Sequence, residues 1–275
     1  MTRVALFQST SGIDPEANAR ALTDAIGTAS AGGAAMLFTP EMTGLLDSDS
    51  ARAARVLRVQ EEDGVLAAAQ EAAARHRIWV HIGSLAVLVE NGKVANRSFV
   101  IDREGVIRGT YDKLHLFDVD LPTGESWRES NTYSPGAGVT LVNGTPVGKL
   151  GLTICYDLRF PGLFARLAES NADVITVPAA FTVPTGKAHW HVLLRARAIE
   201  AGLFVVAAAQ VGHHEDGRNT FGHSLVVDPW GEVLLDMGEE KGVGFADIDL
   251  KRISDVRSRI PALNHRRPIP DAVTL

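Results

Sequence analysis

The stretch GLTICYDLRFPGLF, residues 151–164, indicates the class of fold. It contains the end of an apolar strand predicted over Val147–Cys155, a short polar turn, and the start of a helix at Pro161, since proline is favoured at the first helical position. A strand that leads directly into a helix is typical of α/β proteins. Cys155 lies at the carboxyl end of this strand, the edge at which α/β folds usually bind ligands.

The rest of the chain alternates strands and helices in the same way. Apolar runs predict strands over residues 3–8, 34–39, 78–83, 85–89, 94–101, 106–111, 173–177, 203–209, 223–227, 232–235 and 243–248. Helical patterns cover residues 15–30, 51–77 with a break near Gly64, 161–170, 189–202 and 250–258. Turns at Asn91-Gly92 and Asp102–Gly105 join antiparallel strands, which a purely parallel sheet would not contain. The pattern therefore predicts a layered α/β sandwich with mixed sheets.

The composition is that of a soluble globular protein. Of 275 residues, 45% are hydrophobic and 22% are charged, and the net charge of −6 does not favour nucleic acid or an anionic membrane as a partner. No apolar run approaches the ~20 residues of a membrane span, and the N-terminal apolar run is too short for a signal peptide. One cysteine cannot form an internal disulfide. These features predict a cytoplasmic protein without nucleic-acid or membrane partners.

No linker rich in serine, glycine or proline divides the chain, so the sequence predicts one domain over residues 1–260 and a tail over 261–275. The polar, Pro/Gly-rich stretch over 115–138 is too long for an ordinary loop, and such loops are usually functional. The basic segment NHRRPIP in the tail is too brief to indicate nucleic-acid binding.

Cys155 has two possible roles, because a lone intracellular thiol is most often buried and inert but can also be a nucleophile. Glu41 and Lys113 also follow apolar strands, although solvated charges at strand ends are the usual fate of such residues. Together the three types would support one chemistry: a carboxylate moves protons, a thiolate attacks, and an ammonium stabilises an oxyanion. Placement alone leaves both interpretations open.

A cysteine–histidine pair is the rival arrangement, since the chain has nine histidines. His189 and His191 lie two apart on a predicted helix and face different sides, so they cannot share a metal there. The segment HHEDGRNTFGH, residues 213–223, lacks the spacing of a known zinc site. Motifs for nucleotide binding or a serine hydrolase do not occur. The sequence therefore predicts neither a metal nor a cofactor.

Three segments resemble the signature motifs of the nitrilase superfamily of carbon–nitrogen hydrolases. They are FTPEMTG around Glu41, YDKLHLFD around Lys113 and GLTICYDLRFPGLF around Cys155. The similarity continues through RESNTYSPG, GKAHWHVLLRARAIE, VVAAAQ and GHSLVVDPWGEV. Within the superfamily, the chain is most similar to the branch that contains deaminated glutathione amidase.

The resemblance implies a four-layer αββα sandwich and, commonly, a homodimer that packs sandwich against sandwich. We expect the basic segment of the tail to pack at that interface. It implies a catalytic set of Glu41, Lys113 and Cys155, with Glu129 in RESNTYSPG as a second glutamate of the site. It also implies that Arg159 and Phe181 bind substrate. We add Tyr156, whose backbone N–H would hold an oxyanion, and His191 to the predicted substrate-binding residues. Arg159 would hold a substrate carboxylate, although a salt bridge with Asp157 or another nearby acid is an equal alternative. Many relatives have an acid where this chain has His191.

The implied function is hydrolysis of a linear amide of a small, carboxylate-bearing substrate through a cysteine thioester. Alternatives within the superfamily are an ω-amidase acting on α-ketoglutaramate-type substrates, or a nitrilase. A regulatory or binding protein on an inactive hydrolase scaffold is the alternative outside enzymes, and the presence of all three catalytic residue types argues against it.

Overall fold

The computed structural model of the protein describes residues 1–120, 124 and 126–274, and at residue 91 the backbone only. Within these residues the α-helices are α1 (Pro15–Ala31), α2 (Ser50–Val56), α3 (Gly64–His76), α4 (Pro161–Glu169), α5 (Val183–Ala201) and α6 (Lys251–Arg259). Of the helices in this part of the chain, none has the length and hydrophobicity needed to cross a membrane.

The first eight strands are β1 (Thr2–Gln8), β2 (Met36–Phe38), β3 (Trp79–Leu88), β4 (Val94–Ile101), β5 (Ile107–Asp112), β6 (Asp118–Asp120), β7 (Ser126–Arg128) and β8 (Leu141–Thr145). The others are β9 (Gly148–Leu152), β10 (Val174–Thr176), β11 (Phe204–Ala207), β12 (Val211–His213), β13 (Asn219–Phe221), β14 (Leu225–Val227), β15 (Val233–Asp236) and β16 (Gly242–Ile248).

Two six-stranded mixed sheets form the centre of the molecule. The first has the order β16-β1-β2-β3-β4-β5, with β1, β2 and β3 parallel and the outer pairs antiparallel. The second has the order β15-β14-β11-β10-β9-β8, again with three central parallel strands, β9, β10 and β11. The mixed sheets predicted from the alternating pattern are therefore confirmed.

Side-chain alternation along the strands divides the core into layers. Along β1, Ala5 packs with the buried faces of α1 and α3, whereas Val4 and Leu6 belong to the core that also contains strands of the second sheet. That second core continues to α4 and α5, whose Phe164 and Trp190 are almost fully buried. Burying each such side chain is worth about 1.5–3 kcal/mol. The layers are thus helices, sheet, sheet and helices, which confirms the αββα sandwich.

Several predicted boundaries were wrong. The two strands predicted over 78–83 and 85–89 are the single strand β3, whose pairing with β4 shifts register between Ile82 and Leu85. Helix α5 begins at Val183, so His191 lies in its middle and not near its start. Cys155 does not end a strand: β9 stops at Leu152, and Cys155 begins a 3₁₀ turn. The predicted loop over 115–138 contains β6 and β7, while residues 121–123 and 125 of it lie outside the described residues.

Gly83 lies in β3, close to the residues that follow β2 of the first sheet and β10 of the second. A Cβ atom on this residue would be 2.1 Å from the carbonyl oxygen of Thr39 and 2.4 Å from that of Pro40. It would also be 2.4 Å from the Cβ atom of Pro178, whose own carbonyl accepts the backbone N–H of Cys155 at 2.9 Å. Only glycine therefore lets the segment before Glu41 approach the one that holds Cys155.

We expect Gly83→Ala to lower the free energy of unfolding by about 3 kcal/mol, because the rigid backbone of residues 39 and 40 cannot move aside for a methyl group. Urea unfolding followed by circular dichroism measures the change. Gly138→Ala is the matched control: no atom lies within 4 Å of its Cβ position, so its stability should change by less than about 0.5 kcal/mol. Equal stability of the two variants would contradict this role of Gly83.

Candidate active site

Four side chains that are distant in sequence meet at one end of the two sheets. Glu41 and Lys113 follow β2 and β5, which run in the same direction and so end at the same edge of the first sheet. Cys155 follows β9 of the second sheet, and Glu129 begins a 3₁₀ turn after β7. The sequence prediction that these four residues share one site agrees with this arrangement. Their roles in catalysis remain predictions.

Lys113 is the centre of the hydrogen-bond network in this site. Its ammonium Nζ donates to Oε1 of Glu41 at 2.8 Å and to Oε2 of Glu129 at 2.9 Å, and its side chain is only 2% exposed. Glu41 also accepts the backbone N–H of Ala180 at 3.0 Å through Oε2, and Glu129 accepts that of Phe117 at 2.6 Å. Both carboxylates are thereby held by donors on more than one side.

Asn96 is a residue of the site that the sequence reasoning missed. Its Nδ2 donates to Oε1 of Glu41 at 2.9 Å and to Oε1 of Glu129 at 3.1 Å. It lies in β4 within the largely apolar run VANRSFVI and is fully buried. An amide buried in such a strand needs hydrogen-bond partners, and that requirement was the available signal.

Burial and charge oppose one another at Glu41 and Lys113. Burial raises the pKa of Glu41, but the charge and hydrogen bond of Lys113, with hydrogen bonds from Cys155 and Asn96, hold that pKa below its ordinary value. Burial lowers the pKa of Lys113, yet Glu129, Glu41 and Cys155 raise it well above its ordinary value. The site therefore holds an ionised carboxylate next to an ionised ammonium.

The thiol of Cys155 is protonated at neutral pH. Its pKa is raised well above the ordinary value, first by burial and then by the negative charge of Glu41, while Lys113 and the backbone of Ala180 oppose the rise. Glu41 is thus an ionised proton acceptor beside a neutral thiol. This pairing suits attack assisted by a general base more than attack by a preformed thiolate.

The turn that carries Cys155 is fixed by Asp157. Cys155 has a φ of 48°, an uncommon conformation for a residue other than glycine. Fully buried Asp157 accepts the N–H of Ile154 at 2.9 Å, the hydroxyl of Tyr111 at 2.7 Å and the N–H of His115 at 3.1 Å. Because Tyr111 and His115 flank Lys113, one carboxylate sets the position of Lys113 relative to Cys155.

Three of the four predicted substrate-binding residues lie together. The guanidinium of Arg159 lies 5.6 Å from the ring centre of Phe181 and 5.9 Å from that of Tyr156, and it donates to Nδ1 of His189 at 3.3–3.4 Å. Among the described residues, no carboxylate forms an ion pair with Arg159, and Asp157 has the other partners given above. The alternative salt bridge is therefore not formed within this part of the chain.

His191 lies apart from these three. Its Nε2 contacts Oδ2 of Asp236 at 2.9 Å, and its ring meets that of Phe221 edge to face at 6.2 Å. Nor does a cysteine–histidine pair form, since no histidine of the described residues is hydrogen-bonded to Cys155. Buried His214, for example, contacts the carbonyl of Ser11 and the hydroxyl of Thr220.

Comparison with known proteins defines the class. A family model described as carbon–nitrogen hydrolase matches residues 3–258. The chain therefore belongs to the carbon–nitrogen hydrolase family, and it is a hydrolase of carbon–nitrogen bonds other than peptide bonds. The resemblance predicted from the segments around Glu41, Lys113 and Cys155 is confirmed.

Individual relatives agree with this assignment. The chain is 39% identical to deaminated glutathione amidase of Yersinia enterocolitica over 274 residues, which are 98% of this chain and 94% of the relative. It is similar to the crystal structure of the C. elegans NitFhit protein, with a TM-score of 0.89 and 38% identity over 97% of this chain and 65% of that one. An amidase from Nesterenkonia sp. AN1 has a TM-score of 0.82 and 25% identity, with 97% of this chain and 94% of that one covered. That amidase was solved as a glutamate-to-glutamine variant with the acetamide moiety of fluoroacetamide covalently added at the active-site cysteine.

The charges of the site predict how Cys155 titrates. Because burial and Glu41 raise its pKa, thiolate should form only above the pH range of an ordinary cysteine. Glu41→Gln removes the negative charge and should therefore lower the titration midpoint of the Cys155 thiol relative to that of the wild type. Thiolate absorbance in the ultraviolet, recorded as a function of pH, measures the midpoints of the wild type and of Glu41→Gln. Cys155→Ala gives the baseline, since the chain has no other thiol.

Glu71→Gln is the matched control, because Glu71 is exposed on α3 and should leave the midpoint unchanged. A wild-type midpoint at or below that of a free cysteine would contradict the prediction. A midpoint that rises in Glu41→Gln would contradict it as well.

Proposed function

We propose that this protein is an amidase that cleaves the linear amide of a small, carboxylate-bearing substrate of the deaminated glutathione type through a thioester on Cys155. The observation that carries the proposal is the contact of one buried ammonium, Lys113, with the carboxylates of Glu41 and Glu129 beside the buried thiol. The substrate class follows from the relatives, one of which is deaminated glutathione amidase.

In the first half-reaction, Glu41 removes the Sγ proton of Cys155 while the sulfur attacks the amide carbonyl carbon. A tetrahedral oxyanion forms, and the ammonium of Lys113 and the backbone N–H of Tyr156 stabilise it. Each such donor contributes roughly 3–4 kcal/mol to lowering the barrier. Glu41 then gives the proton to the nitrogen, the C–N bond breaks, and ammonia or an amine leaves the thioester.

In the second half-reaction, Glu41 takes a proton from a water molecule whose oxygen attacks the thioester carbonyl. The C–S bond breaks, the proton returns to the sulfur of Cys155, and the carboxylic acid leaves. Glu129 keeps Lys113 charged and oriented throughout, since it accepts two hydrogen bonds from Nζ. Thus Glu41 transfers every proton, and Lys113 remains an ammonium.

Arg159 is the proposed clamp for the substrate carboxylate. Its guanidinium is half-buried between two aromatic rings and has no ion-pair partner among the described residues. A planar fork in such a position suits bidentate binding of a carboxylate. Phe181 and Tyr156 would form the walls around it, whereas His191, which contacts Asp236, lies apart from them.

We propose further that the chain forms a homodimer in the cytoplasm, as one domain over 1–260 with a tail over 261–275. Support for the dimer comes from large apolar side chains that are more than half exposed on and near α5, among them Val192 at 68% and Ile199 at 53%. Ile260, next to the tail, is 56% exposed. A second copy of the chain would cover these side chains.

The reaction is tested with Cys155→Ala and a panel of substrates that contains ω-amides, amide-linked peptides and a nitrile beside its amide. We expect wild-type enzyme to release acid and amine from a carboxylate-bearing amide, with an acyl adduct on Cys155 detected by mass, and Cys155→Ala to be inactive. Cleavage at the wild-type rate by Cys155→Ala would refute the mechanism. A preference for α-ketoglutaramate-type amides or for the nitrile would contradict the proposed substrate class but not the proposed thioester mechanism.

Arg159→Lys tests the clamp. Loss of bidentate contact should raise KM for an acidic amide by about 10–100-fold and leave kcat within about twofold, because a charge-assisted hydrogen bond is worth roughly 1.5–3 kcal/mol. KM for the uncharged analogue of the same amide should not change. Arg166→Lys, on an exposed side chain of α4, is the matched control. Unchanged KM for the acidic amide in Arg159→Lys would exclude the clamp.

A further inference from the structure

A cluster of two imidazoles and one carboxylate lies outside the catalytic residues. His191 comes from α5, His223 precedes β14, and Asp236 ends β15. Nε2 of His191 is 2.9 Å from Oδ2 of Asp236, and Nδ1 of His223 is 2.9 Å from Oδ1 of Asp236. Neither the reaction above nor the core packing requires this convergence of three elements.

The spacing of these atoms fits a metal ion. One nitrogen or oxygen of each side chain lies within 4.8 Å of the corresponding atoms of the other two. Zinc binds imidazole nitrogen and carboxylate oxygen at about 2.0–2.2 Å, so ligands in a tetrahedral site are about 3.3 Å apart. The two 2.9 Å contacts need to lengthen by only a few tenths of an ångström. Each neutral imidazole would keep its proton on the nitrogen that faces away from the ion.

The surrounding residues hold the three side chains in place. The backbone N–H of Gly238 donates to Oδ1 of Asp236 at 2.9 Å, and the N–H of His223 donates to the carbonyl of Gly238 at 2.7 Å. Nε1 of Trp190 donates to the carbonyl of His223 at 2.8 Å. The ring of Phe221 stacks on that of His223 at 4.4 Å. Support of this kind orients metal ligands and raises affinity.

His223 also has a strained backbone, with a φ of 55°. Residues other than glycine rarely adopt this conformation, and they do so mainly where the surrounding structure requires a particular side-chain position. Here that position points Nδ1 at Asp236.

The cluster is open enough for an ion to enter. The side chains of His191, His223 and Asp236 are 35%, 23% and 33% exposed. Three protein ligands with access to solvent leave room for water as a fourth ligand. Two neutral imidazoles and a carboxylate are the donors that suit zinc among divalent ions, whereas calcium and magnesium prefer oxygen ligands alone.

We propose that His191, His223 and Asp236 form a binding site for a zinc ion. The ion joins the middle of α5 to the edge strand β15, next to Phe221, whose backbone N–H donates to the carbonyl of Phe181 at 2.9 Å. The site is separate from the proposed catalysis and does not depend on it. No sequence motif indicates this site, since the three residues are spaced by 32 and 13 positions.

Equilibrium dialysis of the full chain against Zn²⁺, after removal of metal with a chelator, tests the site. We expect one zinc ion per wild-type chain. His191→Gln and Asp236→Asn should each weaken zinc binding by at least about 10–100-fold, the loss that even substitutions behind the ligands cause. His213→Gln is the matched control, because His213 is an exposed histidine of β12 outside the cluster.

Cys155→Ala should also keep the bound zinc, and Co²⁺ in its place should give ligand-field bands without a thiolate charge-transfer band. Zinc should raise the melting temperature of the wild type and of His213→Gln but not that of His191→Gln. The proposal would be overturned if the wild type held no stoichiometric zinc, or if His191→Gln and Asp236→Asn bound zinc as tightly as the wild type does; the three residues would then form only a hydrogen-bonded triad. Loss of zinc in Cys155→Ala would overturn it as well.

Discussion

The buried ammonium of Lys113 keeps the carboxylate of Glu41 ionised in a place where burial alone would raise its pKa, and it donates a hydrogen bond to Glu129 as well. Removing one partner of such a buried pair typically costs about 3–5 kcal/mol, because the other charge is left without compensation. The segments around Glu41, Glu129 and Lys113 therefore have to come together whenever the protein folds. The same attraction puts a proton acceptor, Glu41, beside a thiol that burial keeps protonated.

Backbone geometry, as much as charge, brings Glu41, Lys113 and Cys155 together. Gly83 allows the segment before Glu41 to lie against β3, and Asp157 fastens the turn of Cys155 to the segment of Lys113. Neither residue touches the reacting atoms in the mechanism proposed. Both nevertheless decide whether the thiol, the carboxylate and the ammonium meet, and for that reason buried glycine and aspartate positions matter to this site as much as its charges.

Sequence patterns predicted the layers of the sandwich better than the first and last residues of its helices and strands. Helix α1 begins at Pro15 as predicted, and Asp14 caps it by accepting the N–H of Glu16. The start of α5 was placed six residues late, because VPTGKA carries no strong helical periodicity and its packing depends on contact of Gly186 with Phe221. Short strands such as β12 and β13 were missed, since three residues give too little alternation to recognise.

The sequence by itself determined the family and the αββα class, and it predicted Glu41, Lys113, Glu129 and Cys155 as residues of one site, because those residues lie in contiguous motifs that can be read along the chain. Tertiary structure alone decided that Asn96 bridges the two glutamates, that Asp157 holds the turn of Cys155, and that His191, His223 and Asp236 converge. The physical reason is the same for each: the contacts join distant segments, and no local spacing or composition records which distant side chain a buried polar group will meet.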